Sequence, residues 1–128
     1  MCARLLIDSD VLVDYARRSP GAVQYMRNLS ERVVVSAVTV AELYAGVRDG
    51  REREGLDDFF ARSLVVEVDI QIAERAGLIA REYRPSHGTG FADAIIAATA
   101  EISRATLVTL NARHFPMLSD LIVPYSKT

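Results

Sequence analysis

Carboxylates follow the apolar segments of this sequence at the points where predicted strands end. Asp8 comes directly after one such strand, and Glu42 and Asp93 each lie in the first turn of a predicted helix. Ligands of open parallel sheets bind outside the carboxyl ends of the strands. We therefore expect these three acids to meet at one edge of a sheet, with Asn111, which ends a later strand, beside them.

Three carboxylates held close together repel one another, and the repulsion raises their pKa values unless a cation lies among them. The candidate ligands are all oxygen donors, without cysteine sulfur or paired histidines. Such a set favours Mg²⁺, or alternatively Mn²⁺, over zinc. The chemistry expected of this site is phosphate-ester hydrolysis, because bound Mg²⁺ polarises the phosphate, orients a water molecule and stabilises the leaving oxygen.

The same three acids also have structural interpretations. Residues 39–42 fit a capping box, in which Glu42 bonds back to the start of its helix. Asp93 would complement the dipole of its helix, although its apolar neighbours indicate a buried end, where a carboxylate needs a partner. Asp8 would be costly after an apolar strand unless it capped the next turn or bound a ligand. Taken singly, the residues leave both interpretations open.

Three further acids are assigned structural roles. Asp10 is predicted to be the N-cap of a helix that begins at Val11. Asp14 is predicted to be exposed to solvent on that helix. Asp69 lies between a strand and a helix and is predicted to cap the helix.

The elements that position these residues alternate between strands and helices. Short β-branched-rich runs are typical of strands buried on both faces, and they cover residues 5–7, 33–35, 64–68, 106–110 and 121–123. Helical spacing covers residues 11–18, 40–48, 70–83 and 91–103, with a charged helix start or loop at 51–54. We expect breaks at residues 19–21 and 84–85, which contain proline. This alternation predicts an α/β fold with helices on both faces of the sheet.

Composition narrows the classes of protein that fit. The 128 residues, half of them hydrophobic, suffice for one domain with its own core. Cys2 is the only cysteine, which excludes an intrachain disulfide and predicts a reducing, cytoplasmic setting. No apolar run approaches the roughly 20 residues that span a bilayer. The net charge of −2 excludes bulk electrostatic coating of nucleic acid, so any such contact must be local, through a metal and a few arginines.

Four segments in order resemble the motifs of the PIN-domain family, and in particular its VapC-type toxins. They are LIDSDVLVD at residues 6–14, VSAVTVAELYAG at 35–46, FADAIIAATA at 91–100 and TLVTLNARHF at 106–115. The resemblance covers nearly the whole chain. It implies a three-layer α/β/α sandwich with a central, mainly parallel sheet of four to five strands, formed by residues 1–128 as a single nuclease domain.

The resemblance also implies a Mg²⁺-dependent endoribonuclease, the toxin of a toxin–antitoxin pair. Its acidic site would comprise Asp8, Glu42 and Asp93. Asp8 and Asp93 would hold the metal, directly or through water, while Glu42 would orient or deprotonate the attacking water. The implied partners are an RNA substrate, a second copy of the chain in a homodimer, and a cognate VapB-type antitoxin.

Neutral residues complete the implied site. Asn111 occupies a position that is Asp or Asn in the family, and it would hold a metal-bound water or a phosphate. Ser9 and Thr109 match small hydroxyl positions that support the site. A surface-loop role is expected of Arg113 and His114, with contact to the substrate as the alternative.

Two alternatives remain open at this point. Asp8 and Asp10 after a strand also look like the acid pair of a haloacid-dehalogenase-type phosphatase, but that chemistry needs a lysine near the phosphate. The only lysine is Lys127 in the tail, and the same lack argues against a receiver-type phosphoacceptor. The second alternative is a catalytically inactive PIN-like binding module, which the neutral Asn111 leaves open.

Overall fold

A computed structural model describes residues 4–126, which form a sheet of five parallel strands between two layers of helices. Cys2 and Lys127, on which two of the expectations above depend, lie outside these residues. The strands follow the spatial order β3-β2-β1-β4-β5. They are β1 (Arg4–Ile7), β2 (Arg32–Ser36), β3 (Leu64–Val66), β4 (Thr106–Val108) and β5 (Leu121–Ile122).

The helices lie between the first four strands in sequence, so that these parallel strands are joined by helical crossovers, while a loop with a 3₁₀ turn joins β4 to β5. They are α1 (Ser9–Ala16), α2 (Pro20–Arg27), α3 (Ala37–Ala45), α4 (Arg51–Ala61), α5 (Ile70–His87) and α6 (Phe91–Ser103), followed by a 3₁₀ turn at Ala112–His114. Within residues 4–126, no helix combines the length and the apolarity needed to cross a bilayer.

The two faces of the sheet carry separate apolar clusters, because alternate residues of a strand point to opposite sides. Leu6 of β1 packs in the cluster that α5 and α6 cover, beside Val34 and Leu107, its register partners on the neighbouring strands. Leu5 and Ile7 pack in the cluster that α1, α3 and α4 cover. The predicted three-layer α/β/α sandwich with a parallel sheet is therefore confirmed.

Proline was misinterpreted in two places. The helix expected to close before residues 19–21 does so, at Ala16, but Pro20 also begins α2, a helix that the sequence did not indicate. Proline suits the first helical position, where its missing N–H leaves no hydrogen bond unmade. Pro85 was expected to end α5, yet the helix continues to His87 and closes with Gly88 in the left-handed region, φ +66°. Near a C-terminus, one lost bond is tolerated when such a cap follows.

Strand lengths differ from the predictions, while two of the helix predictions are confirmed. The strands at 64–68 and 106–110 are shorter than expected and end at Val66 and Val108. Residues 51–54, predicted as a helix start or loop, begin α4. The helix predicted at Phe91–Ser103 has those bounds in the structure.

Candidate active site

Asp8 lies at the carboxyl end of the central strand β1 and caps the N-terminus of α1. It is 5% exposed. One carboxylate oxygen, Oδ1, accepts a 2.7 Å hydrogen bond from the backbone N–H of Ser9, and Oδ2 accepts a 2.7 Å bond from the hydroxyl of Thr109. Because Thr109 directly follows the neighbouring strand β4, the pairing of two central strands positions this carboxylate.

The pKa of Asp8 is raised from 3.8 to about 7, mainly by burial and next by the negative charge of Asp10. The bonds from Thr109 and from the Ser9 N–H lower the pKa, while the charge of Asp93 adds a smaller upward contribution. The charged groups that act on Asp8 are thus both acids, and the ionised carboxylate is held at a cost. A cation at this edge of the sheet would remove that cost.

Glu42 reaches the same edge from α3, but not through a capping box. Ser36 caps α3 by accepting from the backbone N–H of Val38, so the helix begins at Ala37 and Glu42 lies in its second turn. The capping-box interpretation, and the placement of Glu42 in a first turn, are therefore wrong. Its Oε1 instead accepts a 2.6 Å bond from the hydroxyl of Ser9.

Ser9 connects α1 to α3 at the site. Its Oγ also lies 3.1 Å from the hydroxyl oxygen of Thr39, which is fully buried. Thr39 precedes Glu42 by three residues, so both side chains lie on one face of α3. Sequence reasoning missed Thr39 as part of the site, although this spacing would have indicated it.

Asp93 lies in the first turn of α6, as predicted, and contacts a histidine. Its Oδ2 is 3.1 Å from Nδ1 of His114, and the same nitrogen is 3.3 Å from the side-chain amide of Asn111. A protonated Nδ1 donates to Asp93, whereas an unprotonated Nδ1 accepts from Asn111. His114 lies in the connection between β4 and β5, as expected of a loop residue, but its contact with Asp93 makes it part of the site, which the expected surface-loop role did not include.

The turn that carries His114 is fixed from two sides. Its backbone carbonyl accepts a 2.7 Å bond from the hydroxyl of buried Thr89, just before α6. The backbone N–H of Asn111 donates a 3.0 Å bond to Oγ1 of Thr109. A 3₁₀ turn aligns residues three apart, which brings the side chains of Asn111 and His114 together. This spacing is the signal that sequence analysis could have used.

Two other acids differ from their predicted roles. Asp10 does not cap α1; it lies inside the helix, accepts from Val11 N–H through Oδ1 and from Leu110 N–H through Oδ2, and so ties α1 to the loop after β4. Asp14 is buried, 6% exposed, rather than solvated, and accepts a 2.8 Å bond from the hydroxyl of Tyr125. The predicted cap by Asp69 is confirmed by its 2.9 Å bond from Ile72 N–H.

The site residues proposed from the sequence thus share one hydrogen-bonded network with His114, which the sequence did not assign to the site, at the carboxyl edge of the sheet. It comprises, in order of contact, Glu42, Ser9, Asp8, Thr109, Asn111, His114 and Asp93. Within residues 4–126, however, no three side chains of His, Cys, Asp or Glu lie close enough together to enclose a metal ion. The acids form an open patch rather than a closed cage.

Comparison with known proteins places the chain among relatives of similar length. The PIN domain model matches residues 5–119. Ribonuclease VapC19 of Mycobacterium tuberculosis is 41% identical over 124 residues, which cover 94% of this chain and 98% of that protein. Ribonuclease VapC10 of the same species is 37% identical over 125 residues, covering 95% and 93%.

A solved structure shares the fold. A toxin–antitoxin complex from Klebsiella pneumoniae contains a chain that matches with a TM-score of 0.82 at 24% identity, covering 96% of this chain and 99% of that one. At this identity, the likeness establishes the architecture alone. VapC19 and VapC10, at 41% and 37% identity, are similar to this chain in sequence as well.

Proposed function

The chain belongs to the PIN-domain family, and from this premise we propose that it is a metal-dependent endoribonuclease, the toxin of a VapBC-type toxin–antitoxin pair. The relatives at 41% and 37% identity are both named ribonucleases. The observation that carries the proposal is the buried carboxylate of Asp8, whose pKa is raised to about 7 at the edge of the sheet where Glu42 and Asp93 join its network. Such a carboxylate is suited to a positive ligand.

The donor set fits Mg²⁺, or Mn²⁺ as the second option. Mg²⁺ keeps several waters and is usually bound through one or two carboxylates together with substrate phosphate oxygens. A cage of three protein ligands is therefore not required, and the open patch is compatible with this mode of binding. We assign Asp8 and Asp93 as the metal ligands, since each lies at the end of an element and the charge of Asp93 acts on Asp8.

The bound metal would polarise the scissile phosphate and stabilise the charge on the leaving oxygen. Glu42 would accept the proton of the attacking water as the new oxygen–phosphorus bond forms and the bond to the leaving oxygen breaks. The hydroxyl of Ser9 holds one oxygen of Glu42 and leaves the other for that water. Thr109 orients Asp8, and His114 with Asn111 orients Asp93.

The remaining assignments follow from the family. We propose that residues 1–128 act as a single nuclease domain, that two copies form a homodimer, and that a VapB-type antitoxin is the cognate partner. Solved neighbours include the toxin–antitoxin complex from Klebsiella pneumoniae and VapBC from Salmonella typhimurium bound to DNA. We place the activity in the cytoplasm, where its RNA substrates are.

The test is incubation of the purified protein with mixed cellular RNA in Mg²⁺, in Mn²⁺ and in EDTA, with the cleavage ends read by sequencing. The proposal expects cleavage at defined positions that depends on the metal. RNA that stays intact in both metals would instead support the catalytically inactive binding module. Accumulation of a phospho-aspartate in place of cleavage would revive the phosphatase.

A further inference from the structure

An open cavity of about 260 Å³ lies on the surface between the end of α5 and the start of α6. Its walls join an aromatic ring, small apolar groups and two cations. The lining residues are Gly77, Ala80, Arg81, Arg84, Pro85 and Phe91. The volume is below the roughly 300–1,000 Å³ of a pocket for a drug-sized ligand, and it suits a single planar group.

Phe91 is the exposed aromatic group of this cavity. Its side chain is 61% exposed, although the removal of aromatic surface from water is favourable. The guanidinium carbon of Arg84 lies 5.2 Å from the centroid of the ring. Aromatic rings and arginine guanidinium groups are the side chains on which nucleic-acid bases stack.

The two arginines of the cavity concentrate positive charge that α5 does not neutralise. Arg81 and Arg84 are three residues apart, a spacing at which like charges repel. The positions three and four residues from either arginine hold no acid. Among residues 4–126, no carboxylate lies within ion-pair distance of either one. The dipole of α5 favours a cation in its last turn but does not require an adjacent pair.

Gly77 lines the cavity without contributing a side chain. It lies in the middle of α5, where glycine costs roughly 0.5–1 kcal/mol relative to alanine. A side chain at this position would meet no atom within 4 Å. Neither packing nor a special backbone angle accounts for the glycine, whereas an occupant of the cavity would.

The cavity and the candidate active site lie on opposite sides of the first turn of α6. Phe91 and Asp93 share the first turn of α6. Residues two apart point to opposite sides of a helix, so the two side chains are separated by about the width of a helix, roughly 10–12 Å. A few nucleotides of single strand would connect the scissile phosphate at Asp93 to a base at Phe91.

The geometry points to a nucleotide subsite for single-stranded RNA, in which a base stacks on Phe91 and the adjoining phosphate is bound by Arg81 and Arg84. This inference rests on the proposed ribonuclease function, whose substrate it positions. RNA fits better than a polypeptide because the cavity combines a planar aromatic group with unopposed guanidinium groups. It also supplies the local positive charge that a chain of net charge −2 needs to bind RNA.

The test is binding of a short fluorescein-labelled single-stranded RNA, followed by anisotropy in EDTA so that metal-dependent cleavage does not intervene. Phe91→Ala is expected to weaken binding about tenfold or more, because the stacked base is lost. Phe91→Trp is expected to retain it. Arg84→Met is expected to reduce the slope of log Kd against log salt by about 0.7, the value for one phosphate contact on a single strand.

Gly77→Leu separates binding from stability. Leucine favours the helix and fills the cavity, so this variant is expected to keep or raise the melting temperature while weakening RNA binding. Matched controls are Gly55→Leu, an open glycine of α4, and Ile70→Ala, an exposed apolar residue at the other end of α5. Both are expected to bind RNA as the wild type does.

Several outcomes would overturn the subsite. They are wild-type RNA affinity in Phe91→Ala and Gly77→Leu, or a change of oligomeric state with unchanged RNA affinity, which would assign the cavity to a protein interface. Absence of RNA binding by the wild type would also overturn the subsite. RNA binding that depends on Phe91, without cleavage in any metal, would support the subsite and refute the ribonuclease. Metal-dependent cleavage by the wild type, with unaltered RNA binding by the variants, would support the ribonuclease and refute the subsite.

Discussion

Thr109 donates a 2.7 Å hydrogen bond to Oδ2 of Asp8 across two adjacent strands, over a separation of 101 residues in the sequence. The same Thr109 oxygen accepts the backbone N–H of Asn111. One buried hydroxyl therefore fixes both a candidate metal ligand and the turn that leads to His114. Its position, directly after β4, makes the pairing of β1 with β4 the basis of the site.

Thr109→Val should damage the site, although valine has nearly the same side-chain shape as threonine. The variant removes the donor to Asp8 and the acceptor of the Asn111 N–H, and a buried group left unpaired costs about 1–3 kcal/mol. Urea unfolding should show this loss, and RNA cleavage should fall with it. Thr99→Val is the matched control, since Thr99 is equally buried but bonds only the Ile95 carbonyl within α6. Cleavage at the wild-type rate by Thr109→Val would show that the site does not need the Thr109 hydroxyl.

The raised pKa of Asp8 predicts that the metal-free protein loses stability as the pH rises. An unfolded aspartate ionises near 3.8, whereas folded Asp8 keeps its proton until about pH 7. Between these values, the folded state binds more protons, so the free energy of unfolding decreases with increasing pH. At 1.36 kcal/mol per pKa unit, the upper limit of the loss is about 4 kcal/mol.

Asp8→Asn tests this prediction, because the amide does not titrate. Urea unfolding in EDTA at pH 5 and pH 8 should show a flatter dependence than the wild type and greater stability at pH 8. The exposed Asp49→Asn serves as the control for removal of one carboxylate and should follow the wild type. Parallel curves for Asp8→Asn and the wild type would show that Asp8 does not titrate in this range.

Mg²⁺ should stabilise the folded protein through Asp8 and Asp93. A ligand bound to the folded state alone adds about 2.7 kcal/mol at a hundred times its Kd. Because the metal and a proton compete for Asp8, the gain should be larger at pH 8 than at pH 6, with proton release at the lower pH. Thermal unfolding with and without Mg²⁺ measures the gain, and calorimetry in two buffers measures the protons. An undiminished gain in Asp93→Asn would exclude that residue as a ligand.

The sequence predicted the layers of the fold better than the contacts within the site. The β-branched runs and α6 were predictable because each buries apolar residues on all sides, as parallel strands and a central helix must. α2 was not, since Pro20 and Gly21 favour both the end of one helix and the start of another. Packing decides between the two possibilities. Gly21 lies so close to the ring of Tyr125 that a Cβ atom on residue 21 would be 3.1 Å from the ring.

The acids of the site were predictable from their positions at strand and helix ends, whereas their partners were not. The direction of the chain at the end of β1 and at the start of α6 places Asp8 and Asp93 at this edge of the sheet, while Thr109 and His114 orient their carboxylates. Glu42 was expected one turn too early because Thr39 resembles an N-cap, while Ser36 is the residue that caps α3. His114 reaches Asp93 only through a 3₁₀ turn, an element too short to leave a periodic signal.

Ser9 should act on catalysis through Glu42. The 2.6 Å bond from its hydroxyl orients the carboxylate that is proposed to take the proton of water. Glu42→Gln should lower kcat by about 10²–10⁴, the usual contribution of a general base, whereas Ser9→Ala should cause a smaller loss of kcat with little change in KM. Because both changes act on one group, the double variant should be no slower than Glu42→Gln alone. Single-turnover cleavage of a defined RNA measures these rates, with the exposed Ser30→Ala as the control. Additive losses in the double variant would mean that Ser9 acts on the substrate or the metal independently of Glu42.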